Sequence, residues 1–191
     1  LTPRELPTQS VKMSGLEDVP PPAFVYRRKD YFGNNVSTFG VYETHENLTA
    51  TATSVVDVGP GSKVENGAST AWHVVRDYIA SHASKECLEA SEFVYESAYV
   101  PVSSDLAAYA GEVLGTNRPL MDVVLDLSHR IHEDFKYEPL STSIDVPLAD
   151  VLRNRHGVCQ DFAHVMIGAL RSQRLAARYV SGYARSGRGV Q

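Results

Sequence analysis

The amino-acid sequence predicts an α+β fold, in which a β-rich module precedes a mainly helical core. Before residue 69, alternating runs rich in Thr and Val are separated by turn-forming Gly, Pro and Asn. From residue 69 onward, apolar residues recur every three to four positions, as they do along the buried face of a helix. We therefore predict two parts, a module of residues 1–68 and a core of residues 69–191.

Composition excludes several classes of protein. The chain has 191 residues, of which 43% are apolar and 21% charged, which is ordinary for a soluble globular protein. Its 18 Lys and Arg against 23 Asp and Glu give a net charge of −5, so we expect no nucleic-acid partner. No apolar run approaches the roughly 20 residues that span a bilayer, so we expect no membrane partner.

The two cysteines, Cys87 and Cys159, do not make a disulfide framework. No Cys-x-x-Cys or His-x-x-x-His spacing accompanies them, so we predict neither a metal site nor a cofactor. We expect a reducing, cytoplasmic setting. Acidic neighbours surround Cys87 and do not favour a thiolate, so its predicted role is structural or incidental.

The first 68 residues are predicted to contain three strands. Five prolines in residues 1–22 favour an extended, irregular segment. The predicted strands are Phe24–Lys29, Val36–Glu43 and Leu48–Val58. The turn-forming residues 30–35 join the first two, and the alternation in the third predicts one face in water.

Four helices are predicted in the core before residue 155. Ser69–Ala83 carries apolar residues at helical spacing, and Ser69 is a candidate cap. A connection, residues 84–103, follows. The remaining predicted helices are Ser104–Leu114 with Gly115 as its stop, Leu120–Phe135, and one or two turns within Asp145–Arg153.

The last helix is predicted over about residues 159–172, which places Cys159 in its first turn. Gly157 lets the chain turn sharply into this helix. A helix N-terminus carries free N–H groups and the positive end of the dipole, which favour a thiolate and can hold an oxyanion. The alternative is that Cys159 is a small buried hydrophobe. An alternating run, Leu175–Tyr183, is predicted as a strand, and residues 185–189 as a mobile loop.

Several stretches of this sequence resemble one family. They are GVCQDFAH (Gly157–His164), LRS (Leu170–Ser172) and ARYVSGY (Ala177–Tyr183), together with LTPRELPTQ and DYFGNNVSTFGVYETHENLTATATSVVDV near the N-terminus. These stretches are similar to the bacterial transglutaminase-like family of cysteine proteases and acyl transferases. The resemblance implies a papain-like (transglutaminase-like) cysteine proteinase core behind the family's N-terminal β region, with Cys159 as the nucleophile.

The same resemblance implies residues that this sequence lacks. The family carries a catalytic His and Asp on strands after the point matching Tyr183, and further strands before the start of the β region. The sequence ends at Gln191 without the His and Asp. We therefore expect both ends to be incomplete. The chain either belongs to a longer enzyme, stops at a disordered loop, or is an inactive family member, and we favour the first two.

Other side chains near Cys159 are weaker candidates. The backbone N–H of Cys159 is expected in the oxyanion hole, with Gln160 and Tyr137 as further candidates. A solvated position for Gln160 and a core or sheet position for Tyr137 remain open. We expect His164 to point about 140° away from Cys159 around the helix, and Asp161 to complement the helix N-terminus.

His156 precedes the helix in a loop of unknown direction, so it is a poor substitute for the missing base. Besides lacking the catalytic His and Asp, the sequence departs from the family at Gln173–Ala176, where the family tends to have Gly and Pro. This difference makes the turn that ends the helix uncertain.

These observations predict an enzyme that acts on a peptide or protein amide through a Cys159 thioester. The product is an acid if water accepts the acyl group and a new amide if an amine accepts it. The alternative is an inactive domain used for binding or scaffolding. Exposed strand edges make a homo-oligomer a further expectation.

Overall fold

A computed structural model describes residues 2–60, 69–139 and 146–183. These residues fall into two compact units, one of residues 2–60 and 181–183 and one of residues 69–139 and 146–180. The first contains strands and the second mainly helices, so the predicted α+β class is confirmed. The predicted boundary after residue 68 borders residues 61–68, which lie outside the described part of the chain.

Two antiparallel strand pairs make up the first unit. β1 (Gln9–Val19) pairs with β4 (Thr49–Val58), and β2 (Phe24–Lys29) pairs with β3 (Asn35–Gly40). The predicted turn joins β2 to β3: Asp30 Oδ1 accepts from the Asn34 N–H at 2.8 Å. A short polar side chain that binds the following backbone is the usual way in which Asp forms such a turn.

Two predictions for this unit are wrong. Residues 9–19 form a strand rather than irregular chain, because the prolines only flank it, at Pro7 and Pro20, and leave every N–H between them free to pair. β4 also lacks the predicted buried face, since all its residues except Ser54 are exposed. An alternating strand buries one face only where another layer of the protein packs on its sheet. The sheet that contains β4 consists of β1 and β4, and the exposure of β4 shows that neither of its faces is covered.

Six α-helices and one short parallel strand pair form the described part of the second unit. The helices are α1 (Trp72–Ala80), α2 (Lys85–Ser91), α3 (Ser104–Leu114), α4 (Leu120–Asp134), α5 (Leu148–Asn154) and α6 (Cys159–Ser172). The strands are β5 (Lys136–Tyr137) and β6 (His156–Gly157). The predictions for α3 to α6 are confirmed, in the cases of α3 and α6 to the residue.

The start of the second unit differs from the prediction. Ser69 does not cap α1; its Oγ accepts from the Met121 N–H at 2.9 Å, at the start of α4. The predicted connection of residues 84–103 contains α2, which is capped by the Ser84 Oγ accepting from the Cys87 N–H at 3.2 Å. Cys87 is 2% exposed, in agreement with its predicted structural role.

The core lies where α3, α4, α5 and α6 meet. Leu127, Val123, Val151 and Val165 are the largest of its fully buried apolar side chains. Burying each of them contributes roughly 1.5–3 kcal/mol to folding. α6 packs closely on α3 through Gly168, where an added Cβ would lie 2.9 Å from a methyl group of Leu106. This packing fixes the helix that carries Cys159.

The predicted strand at Leu175–Tyr183 is wrong. These residues are irregular, and the Ala177 N–H donates to the carbonyl of Phe93 at 3.1 Å instead of joining a strand ladder. The buried Arg171 holds the segment by donating from Nε to the Ala177 carbonyl at 2.9 Å. An alternating run becomes a strand only beside a partner strand, and no strand pairs with it in the described ranges. The predicted loop at 185–189 lies outside them.

Candidate active site around Cys159

The backbone enters α6 through the β5–β6 pair. α5 ends at Asn154, and the left-handed conformation of the next residue, Arg155 (φ 57°), reverses the chain. The Lys136 N–H then donates to the Arg155 carbonyl at 2.8 Å, and the Glu138 N–H to the Gly157 carbonyl at 3.0 Å. His156, which was predicted to lie in a loop, is therefore part of a two-residue strand. These bonds fix the direction in which the chain reaches Cys159.

Cys159 is the first residue of α6, and its side chain is exposed. The preceding Val158 is extended (φ −111°, ψ 175°), and the first helical hydrogen bond runs from the Phe162 N–H to the Val158 carbonyl at 3.2 Å. The N–H groups of Cys159 and Gln160 come before this bond. Such N–H groups, at the positive end of the helix dipole, favour an anion. The arrangement can present a thiolate and donate to an oxyanion at the same point.

Asp161 closes the first turn of α6. Its Oδ2 accepts from the Val158 N–H at 2.8 Å, and the residue is only 7% exposed. A full capping box also needs an acceptor in the side chain of the residue before the helix, and Val158 has none. Only one of its two hydrogen bonds therefore forms, the one from the Val158 N–H to Asp161. The predicted position of Asp161 at the helix N-terminus is confirmed, and the residue is buried there.

The other two oxyanion candidates lie close to Cys159 in different ways. Gln160 is half-buried in the first turn of α6. Tyr137 pairs with Gly157 across the β5–β6 ladder, so it is a sheet aromatic, as one of the two alternatives predicted. The residue is 59% exposed, so it is not a core aromatic. Their part in an oxyanion hole stays a prediction.

His156 is directed at an acidic side chain. Its Nδ1 lies 3.7 Å from Glu138 Oε2. Residues 156–158 are extended, and side chains alternate along extended chain, so a ring at 156 and a side chain at 159 leave the backbone on opposite sides. Lys136 donates to Glu138 at 2.6 Å and, together with His156, lowers the pKa of Glu138. Sequence reasoning missed Glu138, whose partner is 18 residues away.

His164 lies between two tyrosine rings. Its ring stacks on Tyr99 with the centroids 6.3 Å apart and the planes 9° apart, and it meets the Tyr179 ring edge-on at 5.6 Å. Burial lowers the pKa of His164, and the charge of Asp161 partly opposes this effect. These contacts agree with the predicted direction of His164 away from Cys159. They favour a neutral aromatic role in packing for this ring.

A cluster that the sequence did not indicate supports the approach to α6. The Arg155 guanidinium lies 4.7 Å from the centre of the Tyr109 ring and 4.9 Å from that of Phe135. Arg130 lies 4.2 Å from the same Tyr109 ring. Asp134 completes this arginine–aromatic cluster, because its Oδ2 accepts from the Tyr109 hydroxyl at 2.9 Å. Burial first, and Asp134 second, raise the pKa of Tyr109 to about 12.

The described ranges contain neither a group of metal ligands nor a helix that could span a membrane. Among residues 2–60, 69–139 and 146–183, no three His, Cys, Asp or Glu side chains are grouped as metal ligands would be. No helix in the described part of the chain combines the length and apolar character needed to cross a membrane. The predicted cytoplasmic location stays a prediction.

Two family models match the sequence. Residues 107–190 match the core of the transglutaminase-like superfamily, and residues 1–57 match the bacterial transglutaminase-like N-terminal region. The first match includes α4, α5, α6 and Cys159, and the second includes all of β1 to β3.

Similar proteins occur in mycobacteria. An uncharacterized protein of Mycobacterium tuberculosis is 38% identical over 186 residues, which are 96% of this chain and 58% of the relative. An uncharacterized protein of Mycobacterium leprae is 32% identical over 184 residues, 96% of this chain and 62% of the relative. The chain therefore spans about three fifths of the length of these relatives.

One solved structure shares the fold. It is a protein of Cytophaga hutchinsonii described as a putative cysteine protease, with a TM-score of 0.66 and 19% sequence identity. The match covers 88% of this chain and 54% of that protein. It agrees with the papain-like, transglutaminase-like core that the sequence predicted.

Proposed function

We propose that this chain acts on peptide or protein amides by acyl transfer through a thioester at Cys159, because it matches the core of the transglutaminase-like superfamily and the bacterial transglutaminase-like N-terminal region. The observation that carries the proposal is the position of Cys159. It is an exposed thiol on the first residue of α6, within the segment that matches the family core. A buried cysteine at mid-helix would have no such access to a substrate carbonyl.

The proposed reaction has two steps. The Cys159 thiolate attacks the amide carbonyl, and the N–H groups at the start of α6 stabilise the negative oxygen of the tetrahedral intermediate. The C–N bond then breaks, a general acid protonates the leaving amine, and a thioester remains. In the second step, water or an amine attacks the thioester, which releases the acid or a new amide and restores the thiol.

This reaction requires a base to take the thiol proton. His156 is directed at Glu138, and His164 lies between Tyr99 and Tyr179. We therefore assign the roles of base and carboxylate partner to the His and Asp that the family resemblance implies, which this sequence does not contain. The same placement of His156 and His164 also favours the second candidate, an inactive domain that binds a peptide without cleaving it.

The two candidates differ in turnover. We would measure amide hydrolysis and amine incorporation by the full-length protein on a casein or dipeptide-amide substrate, and compare Cys159→Ala with the control Cys87→Ala. Acyl transfer predicts a loss of at least about 10³-fold in Cys159→Ala, and an acyl adduct on Cys159 by mass spectrometry in the wild type. Equal turnover in Cys159→Ala and wild type would overturn the proposal. Substrate binding without turnover or adduct would favour the binding domain.

A further inference from the structure

Asp161 is a charged side chain in a buried place, two residues after the proposed nucleophile. It is 7% exposed, although carboxylates are seldom buried without a reason. Removing a carboxylate from water is costly unless strong hydrogen bonds replace the water. One such bond comes from the Val158 N–H at 2.8 Å. The carboxylate is thus fixed to the residue immediately before Cys159.

The same carboxylate also packs against Gly157. A Cβ added at Gly157 would lie 2.6 Å from Asp161 Oδ2 and 3.0 Å from the Asp161 Cβ. Since Gly157 has no side chain, the carboxylate occupies this space directly beside the backbone. Asp161 therefore contacts both residues that lead into Cys159, one by packing and the other by a hydrogen bond.

From these contacts we infer that Asp161 is a positioning residue for the Cys159 nucleophile. By holding Gly157 and Val158, it sets where the Cys159 thiol leaves the backbone and where the first N–H groups of α6 point. This inference rests on the proposed function. Asp161 acts through the backbone, and its negative charge opposes a thiolate nearby, so its contribution comes from geometry and not from activation of the thiol.

The acceptor and the charge of Asp161 can be separated by two substitutions. Asp161→Asn keeps an oxygen that accepts from Val158 and removes the charge, whereas Asp161→Ala removes both. A positioning role predicts that the asparagine variant keeps kcat within about threefold of wild type. The alanine variant loses about tenfold or more in kcat with little change in KM, because a charged-group hydrogen bond is lost.

Hydrogen exchange of the Val158 amide gives a second measurement that needs no activity. The exchange rate rises by about tenfold or more in Asp161→Ala and stays near the wild-type rate in Asp161→Asn. In a third variant, Gly157→Ala, the Asp161 carboxylate is present but displaced. We expect this variant to show the same faster Val158 exchange and the same loss of kcat as Asp161→Ala. It keeps the test open if Asp161→Ala does not fold.

Two results would overturn the inference. One is wild-type kcat and wild-type Val158 exchange in Asp161→Ala. The other is an equal loss in Asp161→Asn and Asp161→Ala, which would assign the effect to charge. If the wild-type protein turns over no amide, the proposed function fails. Hydrogen exchange of the Val158 amide then tests by itself whether Asp161 fixes the Val158 backbone. An unchanged exchange rate in Asp161→Ala would show that it does not.

Discussion

The Tyr109 hydroxyl donates to the Asp134 carboxylate at 2.9 Å and so joins α3 to the end of α4. Asp134 Oδ2 also lies 3.3 Å from Arg130 Nε and 3.6 Å from Arg155 Nη1. Arg155 is the residue that turns the chain from α5 toward Cys159. The hydrogen bond between Tyr109 and Asp134 therefore helps to fix Arg155, and through it the backbone that leads to Cys159, without contacting Cys159 directly in the described hydrogen bonds.

Replacing Tyr109 is expected to change how stability depends on pH. The pKa of Tyr109 is raised to about 12 by burial and by Asp134, against about 10 for an unfolded tyrosine. Between these values the unfolded chain has released the proton that the folded protein still holds, so the free energy of unfolding falls as pH rises. Below pH 10 this contribution is fully present.

Tyr109→Phe removes that fall and lowers stability at pH 8 by about 1–2 kcal/mol, through the lost hydrogen bond. Urea unfolding between pH 8 and 12 measures both effects. Tyr42→Phe is the matched control, since Tyr42 is 80% exposed. An unchanged pH dependence in Tyr109→Phe would contradict the assignment.

The two cysteines are expected to differ strongly in alkylation. Cys159 is exposed and Cys87 is 2% exposed, so reagent reaches Cys87 only when the structure opens. Native protein should take up one equivalent of iodoacetamide at Cys159, with Cys87 at least about 100-fold slower, and denatured protein should take up two. Peptide mass mapping against time measures both rates. Similar rates at both positions in the native state would argue against the described placement.

Local signals allowed much of the site to be predicted. Gly157 followed by apolar residues at helical spacing marks the start of α6, and the structure begins that helix at Cys159. The spacing within α3 and α4 was equally informative, because one helix face needs only neighbouring residues to define it. The family resemblance added the role of Cys159, which spacing alone left open.

Contacts between distant residues account for what was missed. Ser69 accepts from Met121, 52 positions away, so a serine that looked like the cap of one helix binds the start of another. Tyr109 and Arg155 are 46 positions apart, and their stacking leaves no periodic trace in the sequence. A helix cap or a stacked pair of this kind is fixed by tertiary packing, which one sequence does not reveal.

Gly157 is expected to tolerate no side chain. An added Cβ would lie 2.6 Å from Asp161 Oδ2, so Gly157→Ala must move the carboxylate or the turn before Cys159. We expect a loss of about 1–3 kcal/mol in stability, as for other overpacked sites. Gly111→Ala is the control: nothing lies within 4 Å of its added Cβ, and it sits within α3, so it should gain about 0.5–1 kcal/mol. A neutral Gly157→Ala in urea unfolding would show that the contact is easily relieved.

The end of α6 offers a stabilising substitution. Arg174 has φ 61°, and the Leu175 N–H donates to the Leu170 carbonyl at 3.1 Å while the Arg174 N–H donates to that of Arg171 at 2.9 Å. These two bonds are those of a Schellman motif, in which the left-handed position usually holds glycine. This turn, which the sequence had made uncertain, thus forms with an arginine in the strained position.

Arg174→Gly is expected to raise the free energy of unfolding by about 0.5–1 kcal/mol. It removes roughly 1–2 kcal/mol of left-handed strain and adds back roughly 0.5–1 kcal/mol of chain entropy in the unfolded state. Arg174→Ala, which loses the same side chain but keeps a Cβ at positive φ, should give no such gain. Thermal and urea unfolding of the two variants separate the effect of backbone strain on stability from the effect of losing the arginine side chain. If alanine stabilises as much as glycine, the gain comes from removing the arginine side chain, and the turn at the end of α6 carries no strain.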